Sequence, residues 1–456
     1  MDIAKTKPVL AGPFKQRMDV MLLLVTMMLI GLGIVTVFDA SYALAIETRN
    51  SDAFYFVKRQ SLFAGIGALA MVLMAYIPFW RWRKNAFPVL CFCVLLLIAV
   101  FLPHIGHAKN GAHRWLGPGS LLFQPSELAK LALVIYLAQV CSAGPKLMRN
   151  FKLGVLPPLI VMAVVCGLIA KEPDLGTAIV LCGTGLVMLF VAGARLKPML
   201  SVLGVVAVAV TGYVVTSPYR MSRLASFMNP KADQFGDGYQ VWHALLALGS
   251  GGLTGVGLGE GKEKFFLPMA PTDFIFAVIG EEWGMIGTIA FLIIFTLLGA
   301  RGYSIAHGTK DSFGSLLAVG LTTLVCLQSV INIAVATSSI PNTGVPLPFI
   351  SYGGSSLVLN MIGIGILLNI SKYPEGRGKP EERAQSPGEE AFERRWDRAP
   401  YAPRITPETL SAYGRDASRT SAKAEADRRR PRTGPAPAPK RVDRAKKRHV
   451  TIDRDE

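Results

Sequence analysis

Long apolar runs separated by short polar connections dominate the first 370 residues. Their length, close to 20 residues each, matches what a helix needs to cross a bilayer. Ten spans are predicted, at roughly 20–44, 56–78, 86–103, 125–142, 155–170, 175–194, 199–216, 273–299, 313–338 and 351–371. Several contain Gly or Pro, which spanning helices tolerate when neighbouring helices satisfy the backbone. The predicted fold class is therefore an all-α polytopic membrane protein. Three regions follow: an N-terminal segment 1–17, a transmembrane domain 18–371 and a tail 372–456. Within the transmembrane domain, a large loop at 217–272 separates helices 7 and 8.

Composition agrees. Hydrophobic residues make up 51% of the 456-residue chain and charged residues only 17%, against about 25% charged in an ordinary soluble domain. Length alone suggests two or three soluble domains, and the apolar runs overrule that. The first run is followed by more of its kind, so it reads as a span rather than a cleaved signal. The six cysteines lie in or beside apolar runs without metal-ligand spacing, and read as small buried hydrophobes.

Charge sets the expected orientation. Lys15 and Arg17 precede the first span, Arg81, Arg83 and Lys84 follow the second, and Lys146, Arg149 and Lys152 follow the fourth. Arg195 and Lys197 follow the sixth, and Arg301 and Lys310 the eighth. With ten spans these all fall on one side, placing both termini in the cytoplasm. The tail from Ser371 carries 22 Lys or Arg against 15 Asp or Glu. It is rich in Pro and Ala and lacks apolar periodicity, so it is expected to be disordered, touching anionic lipid or a cytoplasmic protein. No nucleic-acid reader is present. The 217–272 loop holds Arg220, Arg223, Lys231, Lys262 and Lys264, a basic patch outside the membrane that suits an anionic substrate.

Candidate chemistry sits in four segments at membrane entry points opposite the cytoplasm. The first has Arg114 and Trp115, then Gln124, Pro125, Ser126, Glu127 and Lys130; Glu127 and Lys130 share a helix face and form either a local ion pair or part of a cavity wall. The second opens on Pro173 and Asp174, the latter a helix cap or a cavity residue. The third opens on Thr272, Asp273 and Phe274, with Asp273 at a helix N-terminus. Glu281 and Glu282 lie about 12 Å deeper. They read equally as a structural network or as substrate contacts. The fourth runs from Asn342 to Ser356, where Gly353, Gly354, Ser355 and Ser356 permit close packing or phosphate contact by backbone N–H groups. The six histidines show no ligand spacing, so no dedicated metal site is expected.

Taken in order, these segments resemble the SEDS family, the shape, elongation, division and sporulation proteins of bacterial cell-wall synthesis. The resemblance covers residues 18–371. It rests on Arg114-Trp115 with Gln124–Lys130, Pro173–Thr177, Thr272–Phe276 and Pro348–Ser356. Arg223–Pro230 with Gly238-Tyr239-Gln240, and Ala244–Gly259, are similar to the division branch (FtsW-like) more than the elongation branch (RodA-like). Asp39-Ala40-Ser41 departs from a more usual Ser-Ala-Ser, and Met269-Ala270-Pro271 from a pattern carrying Glu and His.

The resemblance implies a peptidoglycan glycosyltransferase of the bacterial plasma membrane, acting at the division septum. It would polymerise lipid II, a disaccharide-pentapeptide on undecaprenyl diphosphate, and release the lipid diphosphate. Asp273 matches the family's essential acid and would be the general base. Arg114, Lys130 and Arg223 would meet the diphosphate, with Trp115, Gln124, Glu127, Asp174, Ser355 and Ser356 completing the substrate site. A divalent cation, Mg or Mn, is an alternative for part of that work. The implied partners are a class B penicillin-binding protein transpeptidase and other division proteins. The rival readings are a lipid II flippase, which would use deeper acids such as Glu281 or Glu282, and a non-enzymatic divisome scaffold, for which Asp273 would be dispensable.

Overall fold

The computed structural model describes residues 18–48, 52–102, 106–109, 112–117, 122–216, 218–231, 234–236, 238–268 and 270–374. The N-terminal segment 1–17 and the basic tail from 375 onward lie outside the described residues, as does His104.

The elements in chain order are α1 (Val20–Thr48), α2 (Tyr55–Tyr76), α3 (Trp80–Ala99), β1 (Gly106–Lys109), β2 (Ala112–Leu116), α4 (Pro125–Cys141), α5 (Pro145–Met148), α6 (Leu156–Lys171), α7 (Leu175–Val191), α8 (Leu196–Val215), α9 (Pro218–Met228), α10 (Tyr239–Ser250), α11 (Ile275–Gly308), α12 (Ser312–Ala336) and α13 (Gly354–Lys372). A π-turn, Phe151–Val155, leads into α6. Among the described residues, eight helical stretches are long and apolar enough to cross a membrane: α1, α2, α3, the π-turn with α6, α8, α11, α12 and α13. The other two expected spans correspond to α4 and α7, each 17 residues, at the short end of spanning length.

Burial sorts the helices. α12 and α13 bury most of their surface, and α4 buries polar Ser126, Glu127 and Lys130 along with its apolar residues. A helix enclosed on all sides belongs to the core. At the other extreme α8 buries only Met199. Leu24, Leu69, Leu95 and Val208 are exposed apolar side chains, the surface that lipid accepts and water does not. Cys91 is exposed on α3, unlike buried Cys93 and Cys141, which corrects the expectation for that cysteine: the two residues point to different sides of one helix.

The two long connections are structured. β1 and β2 pair antiparallel with His107 opposite Trp115. The 217–272 loop, expected as a connection only, contains α9, α10 and a 3₁₀ turn, Glu263–Phe265.

The eighth span also departs from expectation. α11 begins at Ile275, not 273, and continues to Gly308, not 299, with a break at Gly284 (φ 64°, ψ −165°). The loop segment 252–257 takes over the freed hydrogen bonds. Val256 and Gly257 N–H donate to the Glu281 and Glu282 carbonyls at 3.0 and 3.1 Å, and Met285 and Ile286 N–H donate to Gly252 and Leu253 at 2.9 and 3.1 Å. A Cβ on Gly284 would lie 2.2 Å from Gly255 N, so both the positive φ and the close approach demand glycine.

Candidate active site

The N-termini of α4, α7 and α11 and the loop before α13 meet at one end of the bundle. Asp273 stands two residues before α11, outside the spanning helix, on a backbone tied from both flanks. Ser351 Oγ donates to Thr272 O at 2.6 Å and accepts from Leu347 N at 2.8 Å, while Tyr352 N donates to Pro271 O at 2.8 Å. From α12, Asn332 Nδ2 donates to Asp273 O at 3.0 Å and to Val345 O at 2.8 Å. The third and fourth sequence segments are therefore one structural unit.

The Asp273 side chain keeps some exposed surface but lies beneath the outer loops. That depth pushes its carboxyl up to about 6, with Arg223 and then Arg114 pulling it down and Asp174 adding a smaller upward push. Gly344 is its near neighbour, since a Cβ there would stand 3.8 Å from Asp273 Oδ2.

The first and second segments join in the same way. Gln124 Nε2 donates to Asp174 Oδ2 at 3.1 Å and to Ser126 Oγ at 2.8 Å. Asp174 also accepts from Thr177 N at 3.2 Å, so it caps α7 and lines the cluster at once. Arg114, carried on β2, donates Nε to Glu172 O at 2.8 Å and a terminal nitrogen to Pro173 O. Gly176 approaches Thr343 and Val345 so closely that a Cβ would fall 2.5 Å from Thr343 O, which joins α7 to the loop holding Gly344. Arg223, on α9, reaches the same loop and donates to Asn342 O at 3.2 Å. Asp273, Asp174, Arg114, Arg223 and Gln124 are thus brought into one neighbourhood.

Other expected site residues lie elsewhere. Glu127 and Lys130 pair at 2.9 Å, almost wholly enclosed, beside a void of about 10 Å³, at most room for a single water. Ser356 is buried and accepts from Asn360 at 3.3 Å within α13, and Gly354 abuts Phe63; the start of α13 packs closely, and Ser351 holds the Asp273 turn instead of Ser355 or Ser356. Trp115 is half-buried on the hairpin. Of the five basic loop residues, Lys264 is withdrawn from any substrate. It is buried and bonded to Asp39 at 2.6 Å and Glu282 at 2.7 Å. Glu281 accepts from Lys262 N at 2.7 Å and Glu263 N at 3.1 Å. The two deep acids therefore form the structural network left open by the sequence.

Sequence reasoning missed Ser351, Asn332 and Glu172. Ser351 lies inside the recognised Pro348–Ser356 segment and was readable as a candidate; Asn332, like Gln328 one turn before it, is an amide in an apolar run, which needs a buried partner. Glu172 has no exposed surface and no hydrogen-bond partner for either carboxyl oxygen. Burial, then the neighbouring Asp174, raise it to about 8 against Arg114. Among the described residues, no group of three or more His, Cys, Asp or Glu is placed to hold a metal ion.

A helical membrane protein with an acid poised among converging helix N-termini and two arginines is the class this arrangement defines. Residues 19–376 match the FtsW/RodA/SpoVE cell cycle protein family, and the chain belongs to that family. It is 42% identical over 357 residues to the stage V sporulation protein E of Bacillus subtilis (strain 168), covering 78% of this chain and 97% of that one. It is 40% identical over 362 residues to the probable peptidoglycan glycosyltransferase FtsW of Geobacter metallireducens, covering 79% and 96%. Among solved structures, a chain of a peptidoglycan synthase complex is similar at TM-score 0.66 and 30% identity, covering 78% of this chain and 98% of that one. The rod shape determining protein RodA of Thermus thermophilus is similar at TM-score 0.60 and 29% identity, covering 80% and 100%.

Proposed function

We propose that this protein is a peptidoglycan glycosyltransferase that polymerises lipid II into glycan strands in septal wall synthesis. The observation that carries the site assignment is Asp273: a carboxylate clamped by its own backbone, partly open, and flanked by Arg223 and Arg114. In the reaction, an acceptor sugar hydroxyl attacks the anomeric carbon of the donor. The new glycosidic bond forms as the bond to the diphosphate oxygen breaks. The electron pair leaves with the lipid diphosphate, and the hydroxyl proton passes to Asp273. A base with a pKa near 6 is ionised at neutral pH and basic enough to take that proton as the bond forms.

The leaving diphosphate needs positive potential. The converging starts of α4, α7 and α11 supply helix N-terminal dipoles, and Arg114 and Arg223 add full charges. Asp174 and Gln124 hold the α4 and α7 starts together. Lys130, enclosed with Glu127, supports the wall of this cavity and does not meet the diphosphate directly. Among the described residues, no cluster of His, Cys, Asp or Glu donors fits a divalent cation.

Two points weigh against the flippase reading. Glu281 and Glu282, the acids it would use, are committed to loop backbone and Lys264. The site acid lies at a loop-facing entry, not midway through the bundle. The topology proposed is ten spans with both termini cytoplasmic, and the partner is a class B penicillin-binding protein, as the similarity to a synthase complex suggests. Purified protein with lipid II and the transpeptidase should give glycan ladders on a gel, and Asp273→Asn should give none. Equal ladders from both would remove Asp273 from the chemistry.

A further inference from the structure

A pocket of about 420 Å³ opens in the outer loops, lined by Arg223, Phe235, Tyr239, Gln240, Pro268 and Asn342 among others. We infer that this pocket is a saccharide subsite that seats the acceptor glycan end, presenting its hydroxyl to Asp273; the inference rests on the glycosyltransferase reading above.

Three observations lead there. The first is chemistry. Among the described residues the lining is uncharged apart from Arg223, and its groups are two amides, hydroxyls and two aromatic rings. That set matches an uncharged polyol with apolar sugar faces, whereas a diphosphate would need a second cation or a run of free backbone N–H groups.

The second is preorganisation. Tyr239 packs on His243 with ring centroids 4.3 Å apart; His243 is fixed by Glu263 at 2.6 Å and by stacking on Phe266 at 5.6 Å. Gln240 and Asn342 orient each other, Asn342 Nδ2 donating to Gln240 Oε1 at 3.2 Å. A binding wall whose side chains are locked by a supporting layer loses little entropy when a ligand arrives.

The third is connection to the base. Asn342 lines the pocket while Gly344, two residues on, stands against Asp273. Two residues span at most about 7 Å, within the length of one disaccharide. Arg223 belongs to both places: it lines the pocket, bonds Asn342 O, and acts electrostatically on Asp273. A sugar seated in the pocket can therefore extend its terminal hydroxyl to the carboxylate, while the lipid diphosphate of the donor stays at the helix starts.

The test uses the full-length protein in nanodiscs and lipid-free chitotetraose, an uncharged GlcNAc tetrasaccharide, as probe, with affinity measured by calorimetry and polymerisation of lipid II followed on the same preparations. Loss of one well-made polar or stacking contact is worth about tenfold. Tyr239→Ala and Gln240→Leu should each weaken tetrasaccharide binding by about that factor. Phe235→Ala, at a rim residue 93% exposed and so unable to unfold the chain, should weaken it by about threefold on the same scale. Asp273→Asn should leave the affinity unchanged while abolishing polymerisation. Farnesyl diphosphate should fail to displace the sugar. Unaltered affinity in all three pocket variants of a preparation that polymerises lipid II would overturn the subsite and leave the enzyme reading intact. Displacement by farnesyl diphosphate would overturn it too, marking the pocket as a donor site. Failure of the wild type to polymerise, with pocket-dependent sugar binding retained, would count against the enzyme reading alone.

Discussion

Lys264 Nζ lies 2.6 Å from Asp39 Oδ1, joining the outer loop to α1 across 225 positions of sequence. The same ammonium holds Glu282 at 2.7 Å, one residue from Trp283 and two from the break at Gly284. Burial works against the Lys264 charge, but its hydrogen bonds to the Asp39 and Glu282 carboxylates more than offset it and keep its pKa above the ordinary lysine value. Replacing Lys264 by Met leaves two carboxylates without their cation, at a cost of about 3–5 kcal/mol. Thermal unfolding in detergent should show a large drop for Lys264→Met and a smaller one for Asp39→Ser, which keeps the Lys264–Glu282 pair. Equal, negligible shifts would mean the triad contributes little.

Asp273→Asn removes the proposed base and keeps the shape. Turnover of lipid II should fall by about 10²–10⁴-fold without loss of lipid II binding. In the wild type, the base must be ionised, so kcat/KM should rise with pH through about 6 and level off above it. A flat profile between pH 5 and 7 would count against Asp273 as the titrating group.

Glu172 gives a pH dependence of stability with a definite sign. Its folded pKa, about 8, lies above the ordinary carboxyl value, so the folded state holds a proton that the unfolded chain releases. The favourable contribution is complete below the ordinary carboxyl range and is lost as pH rises toward 8. Glu172→Gln imitates the neutral form at every pH. Its Tm should equal the wild-type value near pH 4.5 and exceed it at pH 8.5. A constant difference across that range would show that Glu172 does not titrate there.

Asn332→Leu tests the clamp on the Asp273 turn. It strips the donor from two carbonyls, Asp273 O and Val345 O, at about 1–3 kcal/mol for each buried group left unmatched. Activity should fall more than folded yield, because the catalytic carboxylate loses its backbone anchor. Ladders of normal intensity from the variant would show that Asn332 is not needed to place Asp273.

The Glu127–Lys130 pair separates structure from chemistry. Lys130→Met should be strongly destabilised, with Glu127 left buried and unpaired, and the double variant Glu127→Leu/Lys130→Met should recover most of the Tm. Since Lys130 is placed here as cavity wall, the double variant should regain measurable polymerisation as well. Recovered Tm with no polymer at all would give Lys130 a direct part in the reaction.

The sequence by itself determined the helical membrane class, because apolar runs of bilayer length have few other uses. It also marked the segments that hold Asp273, Arg114, Gln124, Asp174 and Arg223 as candidates, and the family resemblance of those segments implied the chemistry. Local periodicity carries no distance information between segments, so what it could not decide was partnership. Only the tertiary structure separated Asp174, which both caps α7 and meets Gln124, from Ser356, which is buried and bonded to Asn360 within α13. The break at Gly284 was equally hidden, because one of three closely spaced glycines in a spanning segment reads as ordinary helix until a second backbone is seen supplying its hydrogen bonds. Lys264 shows the same limit most plainly: one more cation in a basic loop by sequence, it is buried between Asp39 and Glu282 in space, where their charges outweigh its desolvation.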